Sequence, residues 1–149
     1  MSVLIGNRRS APGSEALLSG VNAVSVPEKW VERAQYDLET ARAMLASGRY
    51  LYVLFCGQQA VEKAIKAIIA LRTGEMPPRI HPLVRLAEKA GLTLDEPRKK
   101  QFLTLTSYYF ESRYPDDIAA LSTQADRAKA EGALRTTEEI LEWLWTLMK

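Results

Sequence analysis

The chain has few of the residues from which metal and redox sites are built. Its 149 residues include one cysteine, Cys56, and one histidine, His81. A single cysteine excludes an intrachain disulfide, and one Cys with one His provides too few soft ligands for a tetrahedral zinc site. Cys56 lies in an apolar run, which predicts a buried and unreactive thiol. We therefore expect no metal site and no cofactor.

Several signatures of catalysis and of membrane insertion are also missing. The sequence has no Gly-x-Gly-x-x-Gly, no phosphate-binding Gly-Lys-Ser/Thr loop, no His-Glu-x-x-His and no nucleophile elbow. No apolar run approaches the roughly 18 residues that span a bilayer, and the start of the chain does not resemble a signal peptide. The expected location is the cytoplasm, without membrane contact. The net charge of +2 gives no overall electrostatic argument for nucleic acid.

Helical periodicity is what the sequence does contain. Residues 1–25 are rich in Gly, Ser and Pro and show no sustained period, which predicts a flexible N-terminal arm. Residues 26–149 then alternate apolar stripes at helical spacing with Gly and Pro breaks. Period-two alternation and hairpin turns are absent. The pattern predicts an all-α domain, an up-and-down antiparallel bundle of about five helices.

Each predicted helix is bounded by a capping residue, a glycine or a proline. The predicted helices cover residues 27–48, 49–72, 83–91, 95–113 and 122–149. Ser25 and Asp95 are expected as N-caps. The fourth helix should end near Ser112 or Arg113 because Pro115 disfavours helical geometry at the residue before it. Thr123 and Asp126 have the spacing of a capping box at the start of the fifth.

A polar stripe interrupts the second predicted helix, which is otherwise apolar over a wide arc and is expected to be central. Gln59, Glu62, Lys63 and Lys66 lie at positions i, i+3, i+4 and i+7, and therefore share one face. One interpretation is a solvated face with a helical Glu62–Lys66 pair. The other is a groove of amide and ammonium groups that holds a phosphate or a partner's carboxylates.

Arg113 and His81 each have a structural and a functional interpretation. Arg113 is predicted at a helix end, where it caps carbonyl groups or pairs with Glu62, Asp116 or Asp117. Alternatively, its planar guanidinium binds phosphate in a bidentate manner. His81 is either a loop histidine bonded to a backbone group or a general acid–base, which requires a charged or titratable partner nearby.

Four segments of the sequence together resemble the HEPN domain family of bacteria and archaea. They are residues 34–38, 55–67, which include Gln-Gln-Ala-Val-Glu-Lys, 81–83, and 112–116, which read Ser-Arg-Tyr-Pro-Asp. The resemblance covers residues 29–149. It implies a helical bundle that forms a homodimer, often with a minimal nucleotidyltransferase encoded nearby or fused. Many members are metal-independent ribonucleases of toxin–antitoxin pairs, and others bind nucleotides.

The sequence departs from the ribonuclease pattern, in which an Arg is followed after four to six residues by a His. Arg113 matches that arginine, but no histidine follows it. We therefore expect a non-enzymatic or weakly active binding module that engages a nucleotidyltransferase, a nucleotide or RNA. Its expected groove is lined by Gln59, Glu62, Lys63, Lys66, His81, Arg113, Tyr114 and Asp116. The alternatives are a ribonuclease toxin that uses Arg113 and His81, and a structural or regulatory dimer without a small ligand.

Overall fold

The computed structural model of the protein describes residues 24–110 and 113–149. Within these ranges the chain forms six α-helices and no strand. They are α1 (Val26–Ala46), α2 (Tyr50–Thr73), α3 (Leu83–Lys89), α4 (Glu96–Thr106), α5 (Pro115–Gln124) and α6 (Arg127–Thr146). The prediction of an all-helical bundle is confirmed. The predicted N-terminal arm lies almost entirely outside the described residues.

α1 begins at the predicted cap. The Ser25 hydroxyl accepts a hydrogen bond from the Glu28 N–H, and the Glu28 carboxylate accepts one from the Ser25 N–H, both at 3.2 Å. These bonds stabilise the ionised carboxylate and hold the pKa of Glu28 below its ordinary value. After α1 ends, Gly48 adopts a left-handed φ of +76°, which lets the chain reverse into α2.

α2 is the central helix, as its apolar arc predicts. It packs against each of the other five described helices, and its residues from Val53 to Ala70 are largely buried. Leu54, Ile65 and Ile68 join Phe102 and Leu141 in the main core. α1 and α2 form the most extensive helix pair, joined by a short turn, which makes a helical hairpin.

α2 and α6 approach each other closely at one point. A Cβ atom added to Gly57 would lie 2.6 Å from the Thr137 Oγ1. Thr137 is fully buried, and its hydroxyl has no hydrogen-bond partner among the described residues. Gly57 is therefore sterically required at this crossing.

The segment between α4 and α6 differs from the prediction. α4 ends at Thr106 rather than near Arg113, and an additional helix, α5, begins at Pro115. The prediction treated Pro115 as the end of one helix, but its fixed φ and missing N–H equally suit the first turn of the next. Arg113 consequently lies in the loop before α5, so its predicted position in the last turn of a helix is wrong.

The start of the last helix also requires a correction. α6 begins at Arg127, and Asp126 is its N-cap, with the carboxylate accepting from the Lys129 N–H at 2.8 Å. Thr123 does not take part in a capping box, since its hydroxyl donates to the Ala120 carbonyl at 2.8 Å. Of the helices described, none is long and apolar enough to cross a membrane.

Candidate functional site

The centre of the candidate site is what we call the buried polar cluster, which consists of the buried Gln58, Glu62 and Lys66 and the partly exposed His81 and Tyr109. α2 presents Gln58, Glu62 and Lys66 from successive turns of one face. Glu62 is 4% exposed and Lys66 is 5% exposed, so the solvated-face interpretation of the polar stripe is wrong. The helical Glu62–Lys66 pair itself is confirmed, with Lys66 Nζ 2.9 Å from Glu62 Oε2.

Glu62 accepts three hydrogen bonds in this cluster. Besides Lys66, Gln58 Nε2 donates to Glu62 Oε1 at 3.0 Å, and His81 Nδ1 lies 3.1 Å from the same oxygen. A buried carboxylate is stable only when its oxygens are hydrogen-bonded and its charge is balanced. Gln58 also donates to the His81 carbonyl at 3.4 Å, which ties the loop before α3 to α2.

The His81 ring is held on both nitrogens. Because a carboxylate only accepts, Nδ1–H donates to Glu62, and in the neutral ring Nε2 then accepts from the Tyr109 hydroxyl at 3.0 Å. The two rings also stack, with centroids 4.1 Å apart and an interplanar angle of 17°. The His81 side chain remains 42% exposed. It is an accessible imidazole in a fixed orientation, and a substrate would have to displace the tyrosine hydroxyl or exchange protons through it.

Lys63 and Gln59 lie at the edge of the cluster. Lys63 donates to Asp37 of α1 at 2.5 Å, in a pair whose side chains are both mostly buried. Gln59 Nε2 donates to the Gln58 amide oxygen at 2.7 Å. Both lysines of the predicted groove are thus neutralised by carboxylates of the same chain.

A row of aromatic rings runs from the cluster along the surface. We define this aromatic row as Tyr52, Phe110, Phe55, Tyr109 and His81. Successive ring centroids are 5.7, 4.3, 5.9 and 4.1 Å apart. Tyr52 is 47% exposed and the other four are partly exposed. Partly exposed aromatic faces are typical of surfaces that stack bases or pack against another protein.

Arg113 lies in a different environment. Its guanidinium donates to the Ser107 carbonyl at 2.5 Å, and it lines a cavity of about 380 Å³ with Asp117 and Gln124 of α5. No residue of α2 lines this cavity. In the described part of the chain, no carboxylate lies within ion-pair distance of Arg113. The capping of a carbonyl, predicted as one alternative, is what the structure shows.

Tyr114 and Asp116 lie at the start of α5, and both are exposed. Tyr114 occupies the N-cap position without a side-chain capping bond, and Asp116 lies in the first turn, where a negative charge complements the helix dipole. The predicted residues therefore fall into three groups. These are the buried cluster with Gln59, the Lys63–Asp37 pair, and the loop and helix start from Arg113 to Asp116. A single groove formed by all eight stays a prediction.

Six residues described here were not among the predicted site residues: Asp37, Gln58 and Tyr109 around the cluster, and Tyr52, Phe55 and Phe110 of the aromatic row. Asp37 lies on α1 and Tyr109 follows the end of α4, so both are distant in sequence from the polar stripe of α2. Only Gln58 carried a local signal, since it lies one turn before Glu62 on the same helix.

Cys56 lies on α2, two helical turns before Lys63 of the Asp37–Lys63 pair. Burial, and secondarily the negative charge of Asp37, raises the pKa of the Cys56 thiol to about 11. The thiol is therefore protonated and weakly nucleophilic near neutral pH, in line with the predicted low reactivity. Cys56 is, however, partly exposed rather than buried as predicted. Across residues 24–110 and 113–149, no three His, Cys, Asp or Glu side chains group in a way that could hold a metal ion.

Comparisons with known proteins agree on one family. The HEPN domain model matches residues 27–147. The structure of TT1696 from Thermus thermophilus is similar with a TM-score of 0.71 at 26% identity, over 83% of this chain and 98% of that one. ST0689, described as an archaeal HEPN homologue, is similar with a TM-score of 0.67 at 28% identity, over 83% and 98% of the two chains. No functionally curated protein matches the sequence. The chain belongs to the HEPN domain family.

Proposed function

We propose that this HEPN protein is a non-catalytic binding module that takes a nucleotide, free or within a single strand of RNA. The observation that favours this function is the aromatic row, which ends at His81 and whose Phe110 lies three residues before Arg113 in the sequence. Stacking of a base on an exposed aromatic side chain contributes about 1–3 kcal/mol and tolerates any base. Tyr52 and Phe110 provide such faces at the end of the row away from the buried cluster.

Arg113 is the phosphate contact in this proposal. Lys63 and Lys66 each have a carboxylate partner at hydrogen-bond distance, so a phosphate gains little from them. Arg113 donates to a backbone carbonyl instead, and its remaining N–H groups are available for a bidentate phosphate contact. The expected phosphate contact is therefore Arg113, in the loop before α5, and not the lysines of the α2 stripe.

The geometry favours binding over cleavage. Cleavage by 2′-hydroxyl attack needs a group that transfers a proton, and both ring nitrogens of His81 already have partners within the chain. The ribonuclease alternative predicts that cleavage is lost separately in Arg113→Ala and His81→Ala. RNA cleavage with that pattern would replace the binding-module proposal.

We also propose a homodimer and a nucleotidyltransferase partner, both of which the resemblance to the HEPN family implies. Light scattering of the purified chain measures the first, and co-purification with the product of a neighbouring nucleotidyltransferase gene measures the second. A monomer at micromolar concentration would contradict the dimer. A nucleotidyltransferase that does not co-purify would contradict the partnership.

Binding is tested by titrating the full chain with ATP and with a ten-nucleotide oligouridine, while following thermal unfolding. A ligand that binds only the folded state stabilises it by about 2.7 kcal/mol at a hundredfold excess over its Kd. Arg113→Gln should weaken both ligands about tenfold or more, whereas the exposed Arg135→Gln on α6 should leave them unchanged. Tyr52→Ala should also weaken both ligands, because each stacks a base on this ring. A chain that neither ligand stabilises would support the third alternative, a structural dimer without a small ligand.

A further inference from the structure

A second concave surface lies between α4 and α6. It encloses about 450 Å³, within the range of small-ligand pockets. Its floor includes the buried Leu105 and Ala133, and none of the residues that line it belongs to the buried polar cluster or to the aromatic row. It is therefore independent of the site to which the proposed function refers.

The charged groups of this cavity have one sign. Lys100 and Lys129 line it, and no carboxylate is among the lining residues. Lys129 Nζ lies 5.9 Å from the centre of the Tyr108 ring, which places an ammonium group over the aromatic wall. Neither lysine has an ion-pair partner among the described residues. The cavity thus combines an apolar floor with two cations whose charge the chain does not neutralise.

Tyr108 is the second observation that points to a ligand. The residue is only 7% exposed, lines the cavity, and has no hydrogen-bond partner for its hydroxyl within residues 24–110 and 113–149. Its hydroxyl keeps accessible surface, since Thr137 Oγ1 is the one fully buried side-chain polar atom without a partner among the described residues, and it can therefore donate to a ligand in the cavity. Burial also raises the pKa of Tyr108, so the hydroxyl stays protonated and able to donate.

The third feature of this cavity is a glycine, Gly132, in its wall. It lies in the interior of α6 and lines the cavity, although glycine is unfavourable inside a helix. A Cβ atom at Gly132 would meet only the Arg135 guanidinium, at an ordinary contact distance of 3.9 Å. Packing within the chain therefore does not require this glycine, in contrast to Gly57. The absence of a side chain at Gly132 keeps the floor of the cavity open.

We propose that this cavity binds a small amphipathic anion. The apolar body of the ligand lies on the floor between α4 and α6. Its acidic group is held by Lys100 and Lys129 and accepts a hydrogen bond from the Tyr108 hydroxyl. Carboxylates, sulfonates and phosphate esters with an apolar body of suitable size share this chemistry.

The test uses two fluorescent probes of similar shape on the full chain. One is the anion 8-anilinonaphthalene-1-sulfonate, and the other is the uncharged N-phenyl-1-naphthylamine. We expect one saturable site per chain, with the anion bound more tightly. Lys100→Gln/Lys129→Gln should weaken the anion about tenfold and leave the neutral probe unchanged, because two charge-assisted contacts are lost. Lys99→Gln, on the same helix but outside this cavity, is the matched control.

Two further variants test the shape and the hydroxyl. Gly132→Leu should abolish binding of both probes without lowering the midpoint of thermal unfolding, because leucine fills the floor and is the better helix former. Tyr108→Phe should weaken only the anion, about threefold. Competition by decanoate and by dodecyl phosphate then distinguishes carboxylates from phosphate esters. Unchanged affinity of the anion in the double lysine variant, or of both probes in Gly132→Leu, would overturn the proposal.

Discussion

Glu62→Leu removes one carboxylate from three hydrogen-bonding partners at once. The lost contacts are to Lys66 Nζ at 2.9 Å, Gln58 Nε2 at 3.0 Å and His81 Nδ1 at 3.1 Å. Lys66 is buried, so its ammonium would stay in a poorly hydrated site with only the Trp30 ring, 5.6 Å away, to stabilise its charge. Removing one partner of a buried ion pair costs about 3–5 kcal/mol. We expect that loss in the free energy of unfolding.

Most of this cost comes from the Lys66 ammonium, which is left buried without a carboxylate partner. A second substitution tests this explanation. Lys66→Met in the Glu62→Leu background removes the ammonium and keeps an apolar chain of similar length. Since replacing both members of a buried ion pair by apolar groups is often nearly neutral, the double variant should recover about 2 kcal/mol or more over Glu62→Leu alone. The Gln58 amide would keep its weaker bond to the His81 carbonyl.

The assay is urea unfolding at pH 7, followed by tryptophan fluorescence and by circular dichroism. The Arg127–Glu131 pair of α6 is the matched control, because it has the same i, i+4 spacing but is exposed and 3.8 Å apart. Glu131→Leu should change the free energy of unfolding by less than about 0.5 kcal/mol. Equal effects of Glu62→Leu and Glu131→Leu, or no recovery in the double variant, would refute the assignment of a buried, charge-balanced pair.

Three further outcomes are expected for the folded chain. Gly57→Ala should lower the free energy of unfolding by about 1–3 kcal/mol, because the new Cβ would lie 2.6 Å from Thr137 Oγ1, and Thr137→Ala should restore most of it in urea unfolding. Cys56 should react slowly with maleimide at pH 7 and faster as the pH nears 11. Because its pKa rises from 9.0 to about 11 on folding, its contribution to stability is complete below pH 9 and is lost as the pH rises through 11. Labelling at the rate of a free cysteine at pH 7 would contradict this. Ser25→Ala should lower the free energy of unfolding by about 1 kcal/mol because the N-cap hydrogen bond is lost. Ser47→Ala, at the other end of α1, is the control variant.

Local signals in the sequence were sufficient to predict the first half of the fold. The caps at Ser25 and Asp95, the glycines after α1 and α2, and the apolar arc of α2 are each properties of a few neighbouring residues. The segment from residue 107 to 126 was predicted wrongly because proline both ends and begins helices. Whether Pro115 ends one helix or begins the next depends on how the flanking turns pack. The residues near Pro115 do not specify that packing.

The candidate site was only partly predictable for a related reason. Helix phase correctly placed Glu62 and Lys66 on one face. Whether that face is solvated depends on residues distant in sequence, since His81 is 19 residues from Glu62 and Tyr109 is 28 residues beyond His81. A polar stripe has the same spacing whether water or other side chains satisfy it, so burial had to come from the tertiary structure.

The buried polar cluster and the aromatic row share His81 and Tyr109, and this links the stability of the bundle to the shape of its surface. Glu62 fixes the imidazole through Nδ1, and the fixed ring in turn holds Tyr109 by stacking and by a hydrogen bond. Tyr109 then packs against Phe55, so the position of each ring depends on the one before it. Under the proposed function, Glu62 therefore affects ligand binding by fixing the orientation of the His81 and Tyr109 rings. It does not contact the ligand itself. Glu62→Gln, which keeps the size but exchanges one acceptor oxygen for a donor, should loosen this end of the row while leaving Tyr52 and Arg113 in place. A ligand that spans several bases would lose affinity in this variant, whereas a single nucleotide held at Tyr52 would not.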